Sequence, residues 1–180
     1  VTERYVILDR DGVINVDSDA FIKSPDEWLP ISGSLEAIAL LNQHGFKVVV
    51  ITNQSGIARG LFDLDTLSAI HAKMQQMLTD VGGKIETIYF CPHGPQDACV
   101  CRKPKTGLFE QFAADKQVDL NNLYSVGDSY RDLEASLAVG ARPLLVKTGK
   151  GLTTLENHPQ LNIPIFEHLY DAANYIITQS

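Results

Sequence analysis

The chain has 180 residues, 44% of them hydrophobic, which suits one globular domain (residues 1–180) with a sizeable core. A net charge of −7 argues against a nucleic-acid surface, and no run approaches the roughly 18 consecutive apolar residues of a membrane span. No basic, apolar and small-residue export pattern opens the chain, and its three cysteines cluster between positions 91 and 101, so a reducing cytoplasm is expected rather than a disulfide framework.

In chain order, the apolar run Tyr5 to Leu8 predicts a buried strand ending in Asp9, Asp11 and Gly12. Asp17 to Pro30 reads as a loop broken by Pro25 and Pro30. Ser34 is the expected cap of a helix over Leu35 to Gln43, closed by Gly45. Lys47 to Ile51 is nearly all β-branched, as in a strand buried on both faces, and leads into the polar loop TNQSGIARG. A helix starting at Asp63 or Asp65 runs to about Asp80, with Leu67, Ile70, Met74 and Met77 or Leu78 inward. Further strands are expected at Ile85 to Phe90, Leu123 to Val126, Pro143 to Lys147 and Ile163 to Phe166. Helices are expected at Gly107 to Gln117, Arg131 to Val139 and His168 to Thr178, while Cys91 to Pro104 and Gly149 to Asn162 read as loops. Strands alternating with helices imply an α/β fold, a parallel sheet with right-handed crossovers and helices on both faces.

In such a sheet the carboxyl ends of the strands form one ligand-binding edge. Four of those ends carry chemistry: Asp9 and Asp11, then Thr52, then Lys103, then Asp128. Two carboxylates so close favour a hard cation between them, and Mg²⁺ takes oxygen ligands. The set suits phosphoryl transfer. Asp9 is the candidate nucleophile and Asp11 the acid and base. Thr52 and Lys103 hold phosphate, and Asp9, the Asp11 carbonyl and Asp128 hold Mg²⁺. Cys91, His93, Cys99 and Cys101 form a closed Cys₃His set, the ligand composition of structural zinc, and the last ligand directly precedes Arg102 and Lys103.

DRDGV, the threonine of VITNQSG, the lysine of CRKP and GDSYRD, taken in order, resemble the four motifs of the haloacid dehalogenase superfamily of phosphatases. The resemblance implies a Rossmann-like core, Mg²⁺ dependence and the roles above, with Asp132 supporting Lys103 or a metal-bound water. No large cap domain is evident, only the zinc-binding loop at residues 91–104. DRDGVINVD, TNQSGIARG and the cysteine loop resemble a branch of heptose bisphosphate phosphatases that serve lipopolysaccharide precursor synthesis, whose histidinol-phosphate relatives share the fold and loop. Carried over by position, Asp17, Ser18, Asp19, Ala20, Thr52, Asn53, Gln54, Ser55, Arg102 and Lys103 would touch a small phosphorylated sugar. Arg102 and Arg59 are candidates for a distal phosphate. A monomer needing neither nucleic acid nor membrane is expected. The reading from a different class is a catalytically silent, zinc-stabilised binding domain.

Overall fold

The computed structural model describes residues 3–180. Six strands form one sheet: β1 (Arg4–Leu8), β2 (Phe46–Asn53), β3 (Thr87–Cys91), β4 (Tyr124–Gly127), β5 (Arg142–Val146) and β6 (Ile165–Phe166). All pair in parallel, in the order β3-β2-β1-β4-β5-β6. The chain winds outward from β1 in one direction and from β4 in the other. The crevice between their carboxyl ends is therefore the topological switch point, where open α/β sheets bind ligands.

Six helices cover the sheet: α1 (Ser34–Gln43), α2 (Leu64–Asp80), α3 (Gly107–Lys116), α4 (Tyr130–Ala138), α5 (Gly151–Asn157) and α6 (Leu169–Thr178). The period-two alternation of β1 divides the core. Val6 and Leu8 pack with Ile38, Leu41, Ile70, Met74 and Ile176 of α1, α2 and α6. Tyr5 and Ile7 face Phe109 and Phe112 of α3 and Ala135 of α4. With both faces covered, the apolar run of β2 has no polar alternation, and Val48 to Ile51 are all buried. Truncating Ile38 to Ala in this layer would cost about 2–5 kcal/mol.

Local signals place most boundaries. Asp63 caps α2, its carboxylate accepting from Thr66 N at 2.8 Å. Ser34 does not cap α1. It is the first helical residue, Gly33 holds the cap position, and the Ser34 hydroxyl donates to the Val13 carbonyl at 2.9 Å. β3 begins at Thr87 rather than Ile85, because Ile85 is buried against α2, where its carbonyl accepts from Gln75 Nε2 at 3.1 Å. The stretch expected as a loop after Gly149 contains α5. No strong apolar period marks it. Its anchor is tertiary: buried Thr154 donates its hydroxyl to the Asp128 carbonyl at 2.8 Å. Residues 9–33 and 92–106 remain irregular apart from one 3₁₀ turn at Pro25–Glu27, and both loops reach the carboxyl edge.

Candidate active site

Asp9 is the first residue beyond β1, and its backbone N–H extends the ladder to the Val126 carbonyl at 3.0 Å. Asp128 follows β4 directly, so the two carboxylates flank the switch point. Gly12 permits their approach. Its φ is +87°, and a Cβ there would lie 2.0 Å from Asp128 Oδ2. The Asp128 carboxylate also accepts from Lys150 N at 2.8 Å.

Lys103 reaches the same point from the cysteine loop and is buried. Its ammonium lies 2.7 Å from Asp132 Oδ1 and 3.2 Å from Asp9 Oδ1, and it donates to the Ile51 carbonyl at 2.7 Å. Asn53 clamps the lysine backbone from both sides: Lys103 N donates to Asn53 Oδ1 at 3.0 Å and Asn53 Nδ2 to the Lys103 carbonyl at 3.1 Å. The second oxygen of Asp132 accepts from the backbone N–H groups of Asp128 and Ser129, each at 3.1 Å. Asp132 is thus fully engaged in holding Lys103 and the start of α4.

Asp11 turns the other way. Its Oδ1 lies 2.7 Å from Arg10 Nη2 and accepts from Arg10 Nε at 2.8 Å and Asn15 Nδ2 at 2.9 Å, while Oδ2 accepts from Gln54 Nε2 at 3.2 Å. The same Gln54 amide donates to Thr52 Oγ1 at 3.0 Å.

These contacts separate four aspartates into two kinds. Burial pushes the Asp11 and Asp132 carboxyls upward, but both end below the usual carboxylate range because Arg10 pairs with the first and Lys103 with the second. Asp9 is pushed up to about 7 by burial and by its Asp132 and Asp11 neighbours, against the pull of Lys103. Burial, with Asp132 and Asp9 nearby, raises Asp128 well above the usual range. Arg10 and Lys103 thus pair chiefly with Asp11 and Asp132, leaving Asp9 and Asp128 under-compensated on opposite sides of one crevice. An all-oxygen, doubly anionic set of this kind fits a Mg²⁺ ion. Carboxylate oxygens of Asp9, Asp128 and Asp132 lie within 4.8 Å of one another. The prior commitments of Asp132 leave Asp9 and Asp128 as the candidate carboxylate ligands.

Around this centre lies a cleft of about 230 Å³ lined by Asp9, Asp11, Thr52, Asn53, Gln54, Ser55, Lys103 and Asp128. Asp17, Ser18 and Asp19 form part of its wall, with Phe21 and Ile22 behind them; Ala20 is exposed and is not part of the wall. Arg59, Arg102 and Arg131 also line the cleft. Among the described residues none of these three pairs with a carboxylate. Burial, with Arg131 and Arg59 nearby, lowers the Arg102 pKa, the signature of crowded cations facing one space. Arg59 lies over the Phe21 ring at 5.2 Å. Arg131 and Lys150 escaped the sequence reading, Arg131 although it sits inside GDSYRD.

Cys91, His93, Cys99 and Cys101 converge beside the cleft. Cys91 Sγ lies 3.0 Å from Cys101 Sγ, 3.9 Å from Cys99 Sγ and 3.4 Å from His93 Nδ1, and His93 Nδ1 lies 3.3 Å from Cys101 Sγ. These separations exceed the roughly 2.05 Å of a disulfide. Ligands about 2.0–2.3 Å from a tetrahedral zinc lie roughly 3.3–3.8 Å apart; the two sulfur–nitrogen pairs and Cys91–Cys99 are close to that spacing, and Cys91–Cys101 is shorter. Arg102 leans back on this loop, donating to the His93 carbonyl at 3.2 Å.

Residues 6–137 match the family model described as polynucleotide kinase 3 phosphatase. A D-glycero-beta-D-manno-heptose-1,7-bisphosphate 7-phosphatase from Pseudomonas putida is 52% identical over 174 residues, 97% of this chain and 99% of that protein. Its Pseudomonas aeruginosa counterpart is 51% identical over 98% of this chain and 99% of that protein. The crystal structure of D,D-heptose 1,7-bisphosphate phosphatase from B. bronchiseptica, complexed with magnesium and phosphate, superposes with a TM-score of 0.95 at 49% identity, covering 98% of this chain and 99% of that one. With that likeness spanning both the catalytic edge and the cysteine loop, the chain belongs to the D-glycero-D-manno-heptose 1,7-bisphosphate 7-phosphatase family of haloacid dehalogenase-type phosphatases.

Proposed function

We propose that the chain, as one phosphatase domain over residues 1–180, removes the 7-phosphate of D-glycero-D-manno-heptose 1,7-bisphosphate in the synthesis of lipopolysaccharide precursors. The observation that carries this reading is the charge lining one cleft. Beside the under-compensated pair Asp9 and Asp128 and the ammonium of Lys103, it is lined by Arg59, Arg102 and Arg131, none of which pairs with a carboxylate among the described residues. That surplus of guanidinium groups beyond the one lysine at Asp9 suits a substrate with two phosphates on one small carbon frame. The relatives that are 52% and 51% identical to the chain bear the heptose name.

In the first step an Asp9 oxygen bonds to phosphorus as the bond to the sugar oxygen breaks, and Asp11 gives that oxygen a proton. A dianionic phosphate arriving beside Asp11 disfavours its ionised form, so the carboxyl takes up the proton it then donates. In the second step Asp11 accepts a proton from water, the water oxygen bonds to phosphorus, and the bond to Asp9 breaks, releasing phosphate. Lys103 would neutralise the transferring group and the Thr52 hydroxyl would bind it. Asp9, Asp128 and the Asp11 carbonyl would hold Mg²⁺, which would supply positive charge to the transferring phosphoryl group. Asp17 to Asp19 and Asn53 to Ser55 would contact the sugar, and Arg102, with Arg59 and Arg131, the distal phosphate by forked hydrogen bonds. A structural zinc on the four cysteine-loop ligands would fix Arg102 and Lys103. The acting form is proposed to be a cytoplasmic monomer, consistent with free thiols.

The test compares kcat/KM on the heptose bisphosphate and on histidinol phosphate, with phosphorus NMR identifying the phosphate released. Preference for the bisphosphate with loss of the 7-phosphate is expected. Equal or better use of histidinol phosphate would overturn the substrate assignment.

A further inference from the structure

The Arg10 guanidinium is fully buried, an arrangement that requires partners for its N–H groups. Nε and Nη2 face Asp11 Oδ1 at 2.8 and 2.7 Å, and Nη2 also reaches Gln54 Oε1 at 3.4 Å. Its remaining nitrogen, Nη1, lies 3.1 Å from Nε2 of His71 on α2. A guanidinium only donates, so His71 must present the lone pair of Nε2 and carry its proton on Nδ1. The imidazole is packed beside Phe90, with ring centroids 6.5 Å apart. A helix on the covered face of the sheet thereby reaches through one imidazole and one guanidinium to the Asp11 carboxylate.

We infer that His71 is a positioning residue for the leaving-group proton: through Arg10 it fixes the orientation of Asp11. Asp11 has two other donors: Asn15, buried in the loop after β1, and Gln54, which lines the cleft and is shared with Thr52. Arg10 supplies two N–H groups to the carboxylate, from Nε and Nη2, and His71 holds its third nitrogen, Nη1, on the side of α2. The inference rests on the assignment of Asp11 as acid.

The experiment uses two esters at saturating Mg²⁺. The heptose bisphosphate expels an alkoxide and needs the proton; 4-nitrophenyl phosphate expels a stabilised phenolate and does not. The ratio kcat/KM reports the first irreversible step for both. His71→Phe keeps a ring and deletes the acceptor. His71→Gln places an amide oxygen near the position of Nε2. General acid catalysis contributes about 10²–10⁴ in rate, so a misaimed acid is expected to cost His71→Phe about tenfold or more on the sugar ester and less than about twofold on the aryl ester. His71→Gln should recover most of the sugar-ester rate. Asp11→Asn, run in parallel, should show the same ester dependence in stronger form. An equal fall on both esters for His71→Phe, or no fall on either, would overturn the positioning role. If His71→Phe is insoluble, His71→Gln and His71→Leu give the same comparison, and Leu must show the selective loss. If Asp11→Asn itself loses both esters equally, the acid assignment fails and the role of His71 falls with it.

Discussion

Lys103→Met tests the charge arrangement of the site most directly. Methionine keeps the length of the stem and removes a buried ammonium with three partners: Asp132 at 2.7 Å, Asp9 at 3.2 Å and the Ile51 carbonyl at 2.7 Å. Breaking a buried ion pair by removing one member costs about 3–5 kcal/mol, because the other charge stays buried. Asp9, already pushed up to about 7, relieves part of this by taking a proton, which places the expected loss near the lower bound, about 3 kcal/mol. The single tryptophan, Trp28, is fully buried and reports unfolding by fluorescence. At urea slopes of about 1–3 kcal/mol per molar, the midpoint should fall by roughly 1–3 M. Turnover should fall by about 10²–10³, the usual cost of losing one preorganised phosphate donor. The double variant Lys103→Met/Asp132→Asn separates the two effects, since deleting both charges should restore much of the stability and none of the rate. A loss under about 1 kcal/mol, or a double variant no more stable than the single one, would refute the claim that Lys103 and Asp132 are a mutually dependent buried pair.

Three further outcomes are expected. Asp9→Asn should abolish turnover, because an amide is a poor nucleophile, yet raise the melting temperature of the metal-free protein, because burial and its carboxylate neighbours already disfavour the charged form; appreciable residual turnover would count against Asp9 as nucleophile. Elemental analysis should give one zinc per chain; brief EDTA treatment should stop catalysis reversibly by removing Mg²⁺, whereas stripping zinc should cause a loss that Mg²⁺ alone does not reverse, and full activity without zinc would disconnect the cysteine loop from catalysis. His71 is pushed down to about 4 by burial, then by Arg10, so the fold prefers its neutral form; that stability is full above its unfolded value near 6.5 and is lost as pH falls from there toward 4. In full the loss is about 3 kcal/mol, and His71→Gln, which does not titrate, should show a correspondingly flatter urea stability profile between pH 7 and 4.5.

The parallel order of strands and the edge where the chemistry gathers were legible because apolar runs such as Val48 to Ile51 end abruptly in Thr52 and Asn53, and β1 runs directly into Asp9. Roles within the edge were less so. In the sequence Arg10 is the variable position of a D-x-D pair; only the fold shows it buried beneath Asp11, and only the fold brings His71 to it across 61 positions. Nothing in the sequence around His71 signals that contact. Asp132 carried a supporting role in the sequence reading, and its contacts with Lys103 and with two backbone N–H groups describe what it supports. The helix after Gly149 was missed because its anchor is one hydroxyl, Thr154, bonded to a residue far away in the chain, and no local period encodes that. Arg131 was missed because a basic residue in the first turn of a helix reads as solvated charge.

The placement of the cysteine loop has a physical logic of its own. Lys103 must be buried to act on Asp9, yet it lies on an irregular segment, which has no ladder or helical hydrogen bonds to hold its backbone. Asn53 supplies two such bonds from the end of β2, and Lys105 adds an ammonium contact to the Cys99 carbonyl at 2.6 Å. Those bonds fix the loop at one point. A second fixed point is needed to prevent rotation about it, and the four converging ligands provide one immediately before Arg102. A metal gathering them would order residues 91–101 without requiring a larger hydrophobic core beneath the loop. The ordering cost is then met when the protein folds and binds metal, rather than each time substrate enters the cleft.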